Sequence, residues 1–222
     1  MAPDGNMQMD EVLSDPDKVE AMVNSLYSNI PHKGYAYFFF DPAVVACSDD
    51  GWSSEDSQGQ LVDQFYKDNT SASSHPMRDY HDGHGANTNA YWSRYWQQIR
   101  LCSQFLELID GAAVNNDTDR GRFKAEARVM RAFFYMELIK WFGKLPVLDQ
   151  TVPFDADFST MTRQPVYEVA KQIVADCNAA IAEPSLPWRI DTEANGGRAT
   201  KALACALKTE AMLFAASPLH NE

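Results

Sequence analysis

Four aromatic residues, Trp52, Tyr80, Tyr91 and Trp92, share one stretch of chain with Asp49, Asp50, Arg78, Asn87 and Asn89. Sugar recognition needs this mixture of side chains: a ring lies against the C–H face, while amides, carboxylates or a guanidinium pair the hydroxyls. The candidate ligand-binding residues are therefore Asp49, Asp50, Trp52, Arg78, Tyr80, Asn87, Asn89 and Tyr91. The competing reading is ordinary loop composition, because polar residues and turn formers fill any long connection.

Other chemistry is weaker. His75, His81 and His84, with Asp79 and Asp82 among them, put imidazole and carboxylate donors for a divalent cation in one loop. Their spacing fits no defined ligand motif, so no metal and no cofactor are assigned. Asp49, Asp50, Glu55 and Asp56 invite a glycosidase reading, which needs an acid and a base roughly 5 to 9.5 Å apart. Closeness along the chain does not set that separation, and no catalytic residue is assigned. Arg128 and Arg131 share a helix with Glu126 and read as ion pairs between packed helices rather than as contacts to an anion. The four cysteines, Cys47, Cys102, Cys177 and Cys205, form no C-x-x-C pair. They read as small packed hydrophobes.

The elements that must hold these residues are helical. Asp15 or Ser14 before Pro16 starts a helix, since a cap oxygen accepts an orphan N–H and proline has none to lose. Val19, Met22, Val23, Leu26, Tyr27 and Ile30 follow at helical spacing as far as Pro31. From there to about Asn89 the chain is polar and irregular, and loops of that length tend to be functional or disordered. Trp92, Tyr95, Trp96, Ile99, Cys102, Leu106 and Ile109 form the stripe of a second helix, from about Ala90 to Asp110. After a polar linker over 114–119, Phe123, Ala127, Met130, Phe134, Leu138 and Trp141 stripe a third, which Gly143 ends. A fourth starts at Pro165 and stops before Pro184, and a fifth spans 199–216. In this register Trp92, Trp96, Phe134 and Trp141 are core rings, each stabilising the fold by roughly 1.5 to 3 kcal/mol when buried. The fold class is all-α: tetratricopeptide-like helical hairpins in series with long irregular loops.

Composition narrows the function. The 222 residues are 45% hydrophobic and 12% aromatic, enough for a packed core. A formal net charge of -12 opposes binding to a polyanion, whose contacts come from clustered Lys and Arg, so no nucleic acid is expected as a partner. No apolar run approaches the roughly 20 residues a membrane-spanning helix needs.

Ala125-Glu126-Ala127-Arg128, Arg131-Ala132-Phe133-Phe134-Tyr135 and Trp141-Phe142-Gly143-Lys144-Leu145-Pro146-Val147 make the third helix similar to the most recognisable helix of the SusD/RagB family. Trp92, Tyr95, Ile99 and Leu106 precede it, and Gly197-Arg198-Ala199-Thr200-Lys201 leads to Ala216-Ser217-Pro218-Leu219, in the family's order. Lys144, Cys177 and His220 depart from the acidic residue, leucine and phenylalanine expected there, and the stretch from Pro31 to Asn89 matches only in length and character. The resemblance implies a non-catalytic protein held by an N-terminal lipid anchor at the outer face of a Bacteroidetes-type outer membrane. Such a protein passes glycan or peptide nutrients to a SusC-like TonB-dependent transporter. A lipobox cysteine with its signal peptide and the C-terminal half of the family fold are absent from this sequence. Residues 1–222 are therefore expected to be an incomplete N-terminal helical domain. The alternative is a helical-repeat scaffold that binds another protein. The long irregular loop favours nutrient capture, since solenoid repeats are joined by short turns.

Overall fold

The computed structural model describes residues 9–30, 91–153, 155–191 and 196–220, apart from the side chain of Tyr91. Six α-helices lie among them: α1 (Met9–Leu13), α2 (Pro16–Ser25), α3 (Tyr91–Leu108), α4 (Asp117–Phe142), α5 (Val166–Ala182) and α6 (Lys201–Ala215). A short 3-10 turn covers Phe158–Thr160, and the described residues hold no strand, only one antiparallel bridge between Leu145 and Gln164. The all-α, tetratricopeptide-like reading holds. The chain divides into two compact units, residues 1–28 with 95–222 and residues 29–94, and the packing below belongs to the first.

Local chemistry explains most helix ends. The Asp15 carboxylate accepts the Asp17 N–H at 3.0 Å, with Pro16 in the first helical position of α2. Asn116 caps α4 by accepting the Asp119 N–H at 2.8 Å, and Thr200 caps α6 through the Leu203 N–H at 3.2 Å. Gly143, at φ 65°, takes the left-handed turn that stops α4. Three boundaries differ from the sequence reading. Helix α1 carried no recognisable period, being only five residues long. Helix α2 ends at Ser25 instead of continuing to Pro31. There the Ser25 and Ser28 hydroxyls bond back to the carbonyls of Met22 (2.6 Å) and Ser25 (2.8 Å), offering the backbone an alternative to helix. Helix α4 starts at Asp117, inside the stretch read as linker, because Asn116 supplies the cap.

Residue pairs give the helix directions. The rings of Tyr95 and Phe134 lie 5.5 Å apart and those of Trp96 and Tyr135 5.8 Å, while Ser103 meets Arg131, so α3 and α4 run antiparallel. Helix α5 is antiparallel to α4, with Asp176 beside Arg131 and the Leu145–Gln164 bridge at the turn between them. Helix α6 returns alongside, its Lys208 ammonium donating to the Asn178 side chain of α5 at 2.7 Å. It runs parallel to α4, since Glu126 contacts Arg198 and Lys140 contacts Glu210 at 2.7 Å.

Helix α4 is the axis of this unit. The sequence reading put one stripe inward, yet Ala125, Glu126, Val129, Arg131, Ala132, Tyr135, Met136, Glu137 and Ile139 are buried as well. Neighbours on several sides cause this: α2, α3, α5 and α6 all pack against it. Such a helix shows little amphipathic period. The aromatic core is also redistributed. Phe134 is fully buried, whereas Trp92, Trp96 and Trp141 are only partly so, and Phe105, unmarked by the sequence stripe, is buried in their place. Cys102 and Cys177 are buried free thiols, as expected, and Cys205 is half-buried. No helix among the described residues is long and apolar enough to cross a membrane.

Candidate functional site

Of the residues proposed from sequence, Asp49, Asp50, Trp52, Arg78, Tyr80, Asn87 and Asn89 lie outside the described residues. Tyr91 is the first residue of α3, and its side chain is likewise outside them. His75, His81 and His84 with Asp79 and Asp82, and the carboxylates Glu55 and Asp56, fall in the same segment. Among the described residues no cluster of histidine, cysteine, aspartate and glutamate could hold a metal ion.

What the described residues provide is a helical frame with two buried polar junctions. In the first, Arg131 on α4 grips Asp176 on α5 with two bonds, Nε to Oδ2 at 2.8 Å and a terminal nitrogen to Oδ1 at 2.7 Å. Its remaining nitrogen donates to the Ser103 hydroxyl on α3 and to the Asp149 carbonyl, each at 3.1 Å. Burial opposes charge on the guanidinium, and the Asp176 carboxylate more than offsets it, so the Arg131 pKa is raised. Arg128 approaches the same carboxylate at 3.7 Å. Both arginines are therefore structural ion-pair residues, as the sequence reading held.

The second junction centres on Glu126, 1% exposed. The Tyr27 hydroxyl donates to it at 2.7 Å and itself accepts the Ala199 N–H at 3.0 Å. Arg198 donates to Glu126 at 3.2 Å and to the Asn24 side chain at 2.9 Å, and lies 3.6 Å from Glu20. Arg122 stands 3.7 Å from the buried carboxylate. Burial pushes the Glu126 pKa up, against the pull of the Tyr27 hydrogen bond and the Arg198 charge. Tyr27 is raised too, by its own burial and by the carboxylate. Sequence pattern gives no sign of this cluster, because its members come from α2, the turn after it, α4 and the turn before α6.

A strap after α4 is pinned in the same manner. The Tyr135 hydroxyl donates to the Leu148 carbonyl at 3.2 Å and accepts the Leu148 N–H at 2.9 Å. On α3, Arg100 donates to the Val152 carbonyl, and Glu107 accepts the Thr151 N–H at 2.6 Å. Polar groups on α3 and α4 thus fasten the backbone of Leu148, Thr151 and Val152 to the helices.

Exposed apolar groups lie elsewhere on the described surface. A groove of about 500 Å³ runs between α5 and α6, with Tyr167, Val174, Ala175, Met212 and Ala215 in its lining. Large rings are also exposed at Phe158, Tyr167 and Trp188. Sequence reasoning missed Trp188, although its place between Pro187 and Arg189, past the end of a helical period, was a visible sign of a ring outside the core.

Comparison with known proteins agrees with this geometry. A SusD-like family model, described as starch-binding and associating with the outer membrane, matches residues 42–207. SusD-like protein P2 of Formosa agariphila is 27% identical over 119 residues, covering 53% of this chain and 22% of that protein. The crystal structure of a SusD-like protein from Bacteroides fragilis superposes with a TM-score of 0.77 at 27% identity, over 96% of this chain and 38% of that one. A laminarin-binding SusD-like protein superposes with a TM-score of 0.66 at 21% identity, over 90% of this chain and 40% of that one. The chain spans about two-fifths of the length of these solved structures and less of the curated relative.

Proposed function

This chain belongs to the SusD-like family, and on that premise we propose that it takes part in non-catalytic capture of a glycan, or of a peptide, at the outer-membrane surface. The captured nutrient passes to a SusC-like TonB-dependent transporter, and an N-terminal lipid anchor holds the protein at the membrane. The observation that carries the reading is the family match over residues 42–207, which takes in α3, α4, α5, the start of α6 and the segment that holds the candidate contact residues. A relative named for laminarin binding shares the fold and supports a carbohydrate ligand.

The contacts are assigned to Asp49, Asp50, Trp52, Arg78, Tyr80, Asn87, Asn89 and Tyr91, which combine rings with hydroxyl-pairing groups. The buried rings of α3 and α4 serve the frame, because Tyr95 and Phe134 already face each other and have no face to offer a sugar. The test is a glycan and peptide array with the chain, followed by Trp52→Ala and Tyr80→Ala. Each is expected to weaken binding about tenfold, the effect of losing ~1.4 kcal/mol. Unchanged affinity in both, with the helical circular dichroism intact, removes this site.

The groove between α5 and α6 favours a second reading, a helical scaffold for a protein partner. An array silent for every glycan and peptide, beside stable binding of a folded protein, would select it.

A further inference from the structure

Trp188 is 61% exposed, which is unusual for the largest apolar side chain, yet the loop that carries it is anchored. Leu186, two residues earlier, is buried at 1% exposure. The Pro187 carbonyl accepts the Lys201 N–H at 2.9 Å, and Glu183 accepts both the Ser185 N–H (3.1 Å) and its hydroxyl (2.7 Å). A ring held out by a fixed backbone loses little entropy when a ligand stacks on it. Hydrogen-bonding groups stand over it and follow it in the chain. The Lys201 ammonium stands over the ring 6.0 Å from its centre, and the neighbouring Arg189 and Asp191 form an exposed ion pair, with side chains 83% and 66% open. Exposed pairs are weak, so these groups can exchange one another for sugar hydroxyls at little cost. Tyr167 is a poorer candidate, because it belongs to the lining of the α5–α6 groove and Lys171 sits closer to its ring, at 4.4 Å, than Lys201 does to that of Trp188.

We propose that Trp188, with Arg189, Asp191 and Lys201, forms a glucan-binding site on the loop between α5 and α6, separate from the residues before α3. A pyranose C–H face stacks on the indole, and its hydroxyls pair with the three charged neighbours. The proposal rests on the glycan-capture reading and adds a second contact to it. The experiment is native electrophoresis of the 222-residue chain in gels cast with amylopectin or laminarin. Retardation of the wild-type chain is expected in at least one of them. Trp188→Ala is expected to weaken it about tenfold, Trp188→Phe by less, and both should keep the wild-type circular dichroism because most of the residue is already in water. If both variants are retarded like the wild type, the Trp188 site is overturned and glycan capture stands. A wild-type chain retarded in neither gel overturns the glucan site, while the wider capture reading falls only if the glycan and peptide array is silent as well.

Discussion

Arg131 and Asp176 meet side by side across the α4–α5 interface, two nitrogens on two oxygens at 2.8 and 2.7 Å, with both side chains almost wholly buried. The pair joins the two central hairpins, and the guanidinium also reaches Ser103 of α3. A buried ion pair adds little over a well-packed apolar substitute, but breaking one leaves an uncompensated charge at a cost of about 3–5 kcal/mol. Asp176→Ala is therefore expected to lower the urea midpoint sharply. Arg131→Met in the same chain should restore much of the loss. Equal midpoints for the single and double variants would show that the stranded charge is not the cause.

Tyr27 and Glu126 give a pH-dependent prediction. Burial raises the Glu126 pKa above the ordinary 4.5, so the folded state holds that proton more tightly than the unfolded chain. The stabilisation is complete below 4.5 and is lost as pH rises through the raised folded value. Glu126→Gln cannot titrate. Urea midpoints from about pH 4 to pH 8 should therefore show the wild type losing stability relative to Glu126→Gln as pH increases. Parallel curves would mean that Arg198 and Arg122 cancel the burial effect.

Helix hairpins were legible from residue spacing, while the polar junctions were not. The Tyr95, Ile99, Cys102 and Ile109 stripe is buried as its period demands, and Pro16, Gly143 and Pro165 mark boundaries that the structure keeps. These are local signals, complete within one turn or one helix. Glu126 is visible in the sequence only as a charge on the helix of Arg128 and Arg131, because its partners Tyr27 and Arg198 stand 99 and 72 residues away. Trp92 and Trp96 share the stripe of Tyr95, but only the latter is fully buried, since periodicity gives the inward face and not the depth of the cover over it. The residues proposed for ligand contact carry a compositional signal without a period, and composition places no side chain relative to another.

Gly121 lies where α4 passes the end of α5. A methyl group there would come 2.7 Å from the Glu183 carboxylate and 2.8 Å from the Ser185 hydroxyl. Alanine gains about 0.8–1 kcal/mol of helix propensity over glycine, but Glu183 is held in place by Ser185 and cannot withdraw freely. Gly121→Ala is expected to destabilise the chain by about 1–3 kcal/mol, in the range of an overpacked site. In a Glu183→Ala background the carboxylate is gone and the Ser185 hydroxyl, freed from its acceptor, can turn away, so the cost of the same change should fall. Thermal melts of the four chains measure both effects, and a Gly121→Ala cost unchanged by Glu183→Ala would place the clash elsewhere.

The outer side of α6 yields the last prediction. Met212 and Leu213 are 54% and 69% exposed and Leu219 77%, and Met212 belongs to the groove against α5. Water gains when such neighbouring apolar groups are covered, and a contiguous exposed patch marks a surface that binds something apolar. The dye ANS, which takes up such surfaces, is therefore expected to fluoresce with the native chain in the absence of denaturant. Leu213→Lys should reduce that signal and any concentration-dependent association seen by sedimentation. Its side chain is already in water, so the urea midpoint should move by no more than about 0.5 kcal/mol equivalent. Lysine is preferred to glutamate because the chain already carries a net charge of -12, and added negative charge would suppress association by general repulsion. ANS fluorescence that is unchanged by Leu213→Lys, or absent from the wild type, would show that this face is not an adhesive surface.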